Sequence, residues 1–204
     1  MAAHIPAIWT IATPEAVLAA HRSGCTQALH RILGPLADSP ELSRAADLSL
    51  RAALNAPTPG RPLYAALRSR PVPEAPVPRL YHAATLLREH RGDSHTTALI
   101  AASIGGQESH ALAALAANMT FKAYGRLSPL TPTQLAKVLT GLHTRGLITP
   151  TPSLTPAGRT LKTQIESLTD TLAAPAYEIL TPAETSQLQA DLTPIAATIK
   201  SVGY

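Results

Sequence analysis

The stretch that decides the fold runs over residues 131–165, TPTQLAKVLTGLHTRGLITPTPSLTPAGRTLKTQI. Thr131-Pro132 is a helix start: a hydroxyl to accept from the first free backbone N–H groups, then a proline whose fixed φ suits the first helical position. Leu135, Val138, Leu139 and Leu142 recur on one face at helical spacing. Arg145-Gly146 ends this helix, because Gly146 accepts the positive φ that turns the chain out of it. Leu147-Ile148 and Ser153-Leu154-Thr155 then read as two short strands around a TPTP turn, with Leu147 and Leu154 pinning the hairpin to the helices. Thr155-Pro156 repeats the start signal, Gly158 allows close packing, and Leu161, Ile165 and Leu168 carry the next helix.

Working outward, the 19 prolines punctuate the remaining chain in the same way. Thr13-Pro14 opens a helix over 13–33, with Val17, Leu18, Cys25, Ala28, Leu29 and Ile32 as core positions. Ser39-Pro40 opens a second, through Leu42, Ala45, Leu48 and Ala52, and 61–67 reads as a short third. Residues 70–78, RPVPEAPVP, form an extended proline-rich linker and the best internal boundary. Helix follows over 79–104, continuing past Gly92; Gly105-Gly106 breaks it, and 107–119 is helical again. Two short helices start at Pro175 and at Thr181-Pro182. The division expected is a helical N-terminal region over 1–70, a second domain over 79–174 and C-terminal helices over 175–204.

Composition excludes several classes. The 204 residues are 45% hydrophobic but only 3% aromatic, too few rings for a base-stacking surface, and alanine and leucine dominate, which favours helices. The single cysteine, Cys25, excludes an internal disulfide and a thiolate zinc cluster. No run of about 18 apolar residues spans a membrane, and no basic stretch precedes an apolar one at the N-terminus, so a cytoplasmic location is expected. No cofactor fingerprint, phosphate-binding loop or nucleophile elbow is present.

The net charge of +4 is unevenly spread. Between Glu108 and Glu166 there is no acidic residue, while Lys122, Arg126, Lys137, Arg145, Arg159 and Lys162 all fall there. The rest of the chain has 11 basic and 13 acidic residues, so the whole excess belongs to this stretch, the asymmetry a phosphate-facing surface requires. The TPTP turn itself carries no cation.

A second outlier interrupts the Ala/Leu-rich background: Arg88, Glu89, His90, Arg91, Gly92, Asp93, Ser94 and His95. On a helix Glu89 and Asp93 share a face, as do Arg91 and His95, and His90 and Asp93 converge at a spacing of three. Glu108 and His110 follow the Gly105-Gly106 break and can fold back against them. Three arrangements suit these residues: a salt-bridge network between packed helices, a pocket holding a small anionic ligand on its arginines with Glu89, His90, Asp93 or His95 as acid/base groups, or a His/carboxylate metal site. No H-E-x-x-H spacing supports the last, and no metal ligand set is assigned.

The Leu142, Gly146, Leu147, Ile148, Leu154, Thr155, Gly158, Arg159 pattern resembles the winged helix-turn-helix of MarR-type regulators. The resemblance implies a mainly α fold: a helical N-terminal region plus a winged helix-turn-helix domain over 79–174 with a short two-stranded β wing. It makes 132–144 the recognition helix, with Thr133, Gln134, Lys137, Thr140, Thr144 and Arg145 facing double-stranded DNA. Residues 12–34 and 85–101, with the REHRGD-x-H core of Arg88 to Asp93 plus His95, are similar to an actinobacterial family of uncharacterised helix-turn-helix proteins. The MarR-type resemblance implies a homodimer, and the second likeness a partner chain supplying an N-terminal segment that the family carries and this chain lacks. The function expected is a ligand-responsive transcriptional regulator, its ligand held by Arg88, Glu89, His90, Arg91, Asp93, His95, Glu108 and His110. The alternative is a small enzyme or biosynthetic accessory protein that keeps the scaffold without DNA and works through a polar pocket at 89–95.

Overall fold

The computed structural model describes residues 7, 9–127 and 129–203. Among them are eight α-helices: α1 Pro14–Leu33, α2 Pro40–Asn55, α3 Pro62–Arg68, α4 Pro76–Ala101, α5 Gly106–Ala116, α6 Pro132–Thr144, α7 Pro156–Ala173 and α8 Pro182–Ser201. Single 3-10 turns occupy Gly34–Asp38 and Ala174–Tyr177. No helix of the described residues is long and apolar enough to cross a membrane.

Five helix starts share one chemistry. Thr13, Ser39, Thr131, Thr155 and Thr181 each cap with an extended backbone, a side-chain oxygen accepting from a backbone N–H three residues on, and a proline following. Each hydroxyl satisfies a donor the helix itself cannot, and each proline occupies a position whose N–H would be idle.

The chain divides into two compact units. The first comprises Met1–Pro57, Tyr64–Arg88 and Ala176–Tyr204. Leu42, Ala45, Leu48 and Ala52 of α2 are buried with Leu33, Val77, Leu180, Leu188 and Ile195. Within this layer Arg44 donates twice to Asp191, at 2.8 and 2.7 Å, and Gln187 donates to the same carboxylate at 2.9 Å. The Arg44 guanidinium holds the Asp191 carboxyl below its ordinary range, against the opposing effect of burial. The Tyr64 ring is fully buried, its hydroxyl 2.6 and 2.9 Å from the carbonyls of Ala53 and Ala56.

Two expectations fail in this unit. Val17 and Leu18 are exposed, and the buried side of α1 comes only with its last turns, where Leu33 is enclosed and Leu29 packs against the core. The C-terminal segment is not two short helices but a 3-10 turn followed by the 20-residue α8, which continues through Pro194. A proline inside a helix costs about 3 kcal/mol; burying Leu188 and Ile195 on either side of it offsets that cost.

The second unit comprises Thr58–Leu63 and Glu89–Pro175. Ala98 of α4, Ala111, Leu112 and Ala114 of α5, Leu142 of α6, Leu147, Ile148, Leu154 and Ile165 of α7 form its core. The expected two-stranded β wing is absent: among the described residues there is no strand, and Ile148 and Leu154 make a single antiparallel bridge. Thr149 N donates to Ser153 O at 2.9 Å and Thr155 N to Leu147 O at 3.1 Å, and the ladder goes no further. The reason lies in the turn itself. Pro150 and Pro152 have no N–H to donate to a ladder, so TPTP closes a loop without extending strands. Leu147 and Leu154 are buried at its base. The helical part of the expected fold stands, and the β part is corrected to a bridged loop.

Candidate nucleic-acid interface

The helix α6 is anchored by its N-terminus and one face. Thr131 Oγ1 accepts from Gln134 N at 3.2 Å, and Gln134 Oε1 accepts from Thr131 N at 2.9 Å, closing a reciprocal capping box. Leu142 is buried and Leu135, Val138 and Leu139 are half-buried, as the helical spacing requires. The opposite stripe, Thr133, Lys137, Thr140 and Thr144, is exposed along its length. Gln134 is exposed too, but its amide oxygen is committed to the cap.

A groove of about 620 Å³ lies between this helix and the start of α5, lined by Gly105, Gly106, Gln107 and Glu108 on one side and Gln134, Lys137, Val138 and Gly141 on the other. Sequence reasoning misses the Gly105, Gly106 and Gln107 wall. The signal that could have found it is the run Gly105-Gly106-Gln107-Glu108, in which Glu108 reaches back to accept from Gly105 N at 2.8 Å.

The six cations of the acid-free stretch have different fates. Arg145 donates to the carbonyls of Ser103 at 2.9 Å and Ala102 at 3.3 Å, and lies 3.5 Å from Glu108 Oε2. It thereby ties the end of α4 to the end of α6. Arg159 donates to Leu154 O at 2.6 Å, and Lys162 lies 3.6 Å from Glu166. Lys122, Arg126 and Lys137 are exposed and make no ion pair among the described residues.

Residues 89–95 lie on α4, where Arg91 and His95 reach α7. Arg91 donates to Glu166 at 3.1 Å and to Asp170 at 3.0 Å. His95 Nδ1 is 3.0 Å from Thr169 Oγ1, whose own hydrogen goes to Ile165 O at 2.7 Å, so the imidazole is the donor of that pair. His90 is buried at 1% exposure; burial, then the nearby Arg61 guanidinium, hold its imidazole down to about 4, against an opposing pull from Asp93. Arg61 itself donates to Ser94 Oγ at 3.2 Å and Leu172 O at 2.7 Å. Glu89 and Asp93 are half-buried, and Arg88 is exposed and belongs to the first unit.

Glu108 and His110 separate from one another. Glu108 caps α5 beside Arg145, while His110 has its ring centroid 6.1 Å from that of Tyr124. Burial, Arg126 and His95 lower the His110 imidazole. No group of three or more His, Cys, Asp or Glu among the described residues is placed to hold a metal ion.

Residues 117–131 join α5 to α6, and α6 is followed by a bridged loop and α7. The chain belongs to a helix-turn-helix family whose model matches residues 1–204. No curated protein and no solved structure matches it.

Proposed function

We propose that this chain binds double-stranded DNA through α6 and acts as a transcriptional regulator. The observation that carries the reading is the exposed Thr133, Lys137, Thr140, Thr144 stripe on a helix whose other face is fixed to a core, within a stretch free of acidic residues. A helix laid in the major groove reads base edges with such side chains, and Lys137, Lys122 and Arg126 supply phosphate contacts. Gln134 and Arg145 serve the fold first: one closes the cap of α6, the other clamps its end. In this reading residues 89–95 join α4 to α7, with Arg91 and His95 as the fastenings.

The test is a DNA-binding titration across a salt series. Affinity falls linearly on a log–log scale, and Lys137→Ala lowers affinity and flattens the slope by about one, a single phosphate contact's worth. Absence of binding at low salt, or a Lys137→Ala slope equal to wild type, rejects the reading.

A further inference from the structure

Two planar side chains at α6 have the fork that pairs with a base edge through two hydrogen bonds. Gln134 has the donor and acceptor that match adenine N7 and N6, and Arg145 has the paired donors that match guanine O6 and N7. The fold has used both. The Gln134 amide oxygen accepts from Thr131 N at 2.9 Å, so the side chain reaches back to the start of its own helix. Arg145 sets one terminal nitrogen 2.9 Å from the Ser103 carbonyl and the other 3.3 Å from that of Ala102, with Glu108 3.5 Å from the first. Freeing either fork for a base breaks a contact that holds α6 in place, the cap at its start or the clamp at its end.

The outward stripe offers methyl groups. Thr133, Thr140 and Thr144 are exposed on the same stripe as Lys137, and each carries a γ-methyl beside its hydroxyl. Thr133 and Thr140 lie two turns apart, about 11 Å along the helix axis, which is the rise of about three base-pair steps. The apolar feature of the major groove is the C5-methyl of thymine, against which a threonine methyl packs. Lys137, between the threonines, is a point charge that a phosphate satisfies without any sequence being read.

Resting on the DNA-binding reading of α6, we infer that this chain selects its DNA by thymine methyl groups. Thr133, Thr140 and Thr144 are the specificity-determining residues, and the site they fit is a duplex with thymines about three steps apart in one major groove. Each contact has the strength of a buried methyl group, about fourfold in affinity.

The test is selection of binding sites from a randomised double-stranded DNA library by the full chain. The enriched duplex is then remade with deoxyuridine for thymidine, one position at a time, which removes the C5-methyl and keeps every hydrogen-bonding group. Enrichment of thymines is expected, with a loss of about fourfold on deoxyuridine substitution at the contacted ones. Thr140→Ser keeps the hydroxyl and loses the methyl, so it binds the thymine and deoxyuridine forms alike at one of these positions. Thr140→Val keeps a methyl and the wild-type preference there. Both changes fall on an exposed residue and leave the melting temperature unchanged. Lys137→Ala weakens the two forms by the same factor. Equal affinity for the thymine and deoxyuridine duplexes, or a preference kept by Thr140→Ser and lost by Thr140→Val, overturns the inference and leaves DNA binding standing. A library retained without enrichment does the same. A library not retained at low salt rejects the DNA-binding reading and the inference with it.

Discussion

Gly158 stands against the backbone of Leu147 so closely that a Cβ at position 158 would lie 2.1 Å from the Leu147 carbonyl oxygen. That oxygen already accepts from Thr155 N at 3.1 Å, and Thr155 Oγ1 donates to Gly146 O at 2.7 Å and accepts from Gly158 N at 3.0 Å. The start of α7 is thus stitched to the loop that leaves α6, and the stitch permits no side chain at 158. Gly146, at φ 69°, makes the turn that brings the loop there.

Gly158→Ala follows directly. The methyl meets backbone rather than a movable side chain, so the helix or the loop must shift, at a cost of about 1–3 kcal/mol. Urea denaturation should show that loss; a variant as stable as wild type would mean α7 can slide away from Leu147 freely.

Gln134 separates folding from recognition. Glutamate at this position of a capping box does the same work as glutamine, so Gln134→Glu keeps the cap and the melting temperature. If α6 faces DNA, the added negative charge lowers DNA affinity at low salt, and the loss shrinks as salt rises. A variant with unchanged DNA binding would move the interface away from the start of α6.

Arg145 and Lys137 make an opposed pair. Arg145→Ala removes donors from the Ser103 and Ala102 carbonyls and leaves Glu108 without its cation, so stability drops by about 1–2 kcal/mol. Lys137→Ala touches no such contact and leaves the melting temperature unchanged. Thermal denaturation of the two variants side by side decides it; equal losses would contradict the different roles assigned to them.

Acid stability should carry the signature of His90. Its imidazole ordinarily titrates near 6.5 and in the fold near 4, so between those values the unfolded chain binds a proton that the folded chain does not. Stability is complete above pH 6.5, falls as the pH drops toward 4, and levels off below it. The loss is about 3 kcal/mol, because every pH step between the two values weakens the fold by about 1.4 kcal/mol. His82 and His110, lowered in the same sense by burial, add to the slope. His90→Asn removes its share, so denaturation midpoints measured across this range should fall less steeply than in wild type; parallel curves would refute the assignment.

The charged cluster shows why some of the candidate site could be read from the chain and some could not. That Arg91 and His95 share a helical face follows from a spacing of four. That their partners are Glu166, Asp170 and Thr169, some 75 residues away, does not. Likewise the exposed stripe of α6 is implied by its apolar one, whereas the spending of Arg145 on two carbonyls depends on where α4 happens to end.

Helix starts were legible because capping is local. At Thr13, Ser39, Thr131, Thr155 and Thr181 the hydroxyl, the proline and the donor it satisfies lie within four residues of one another, so sequence alone determined them. Gly146 belongs to the same class, since its positive φ answers its own turn, whereas Gly158 answers the approach of the Leu147 backbone. What only the tertiary structure decided involves distant partners: Val17 and Leu18 left in solvent, the expected wing reduced to one bridge, α8 carried through Pro194, Thr26 buried without a partner. In each case local preference was permissive, and the outcome depended on whether another element, far along the chain, arrived to cover the side chain or to accept its proton.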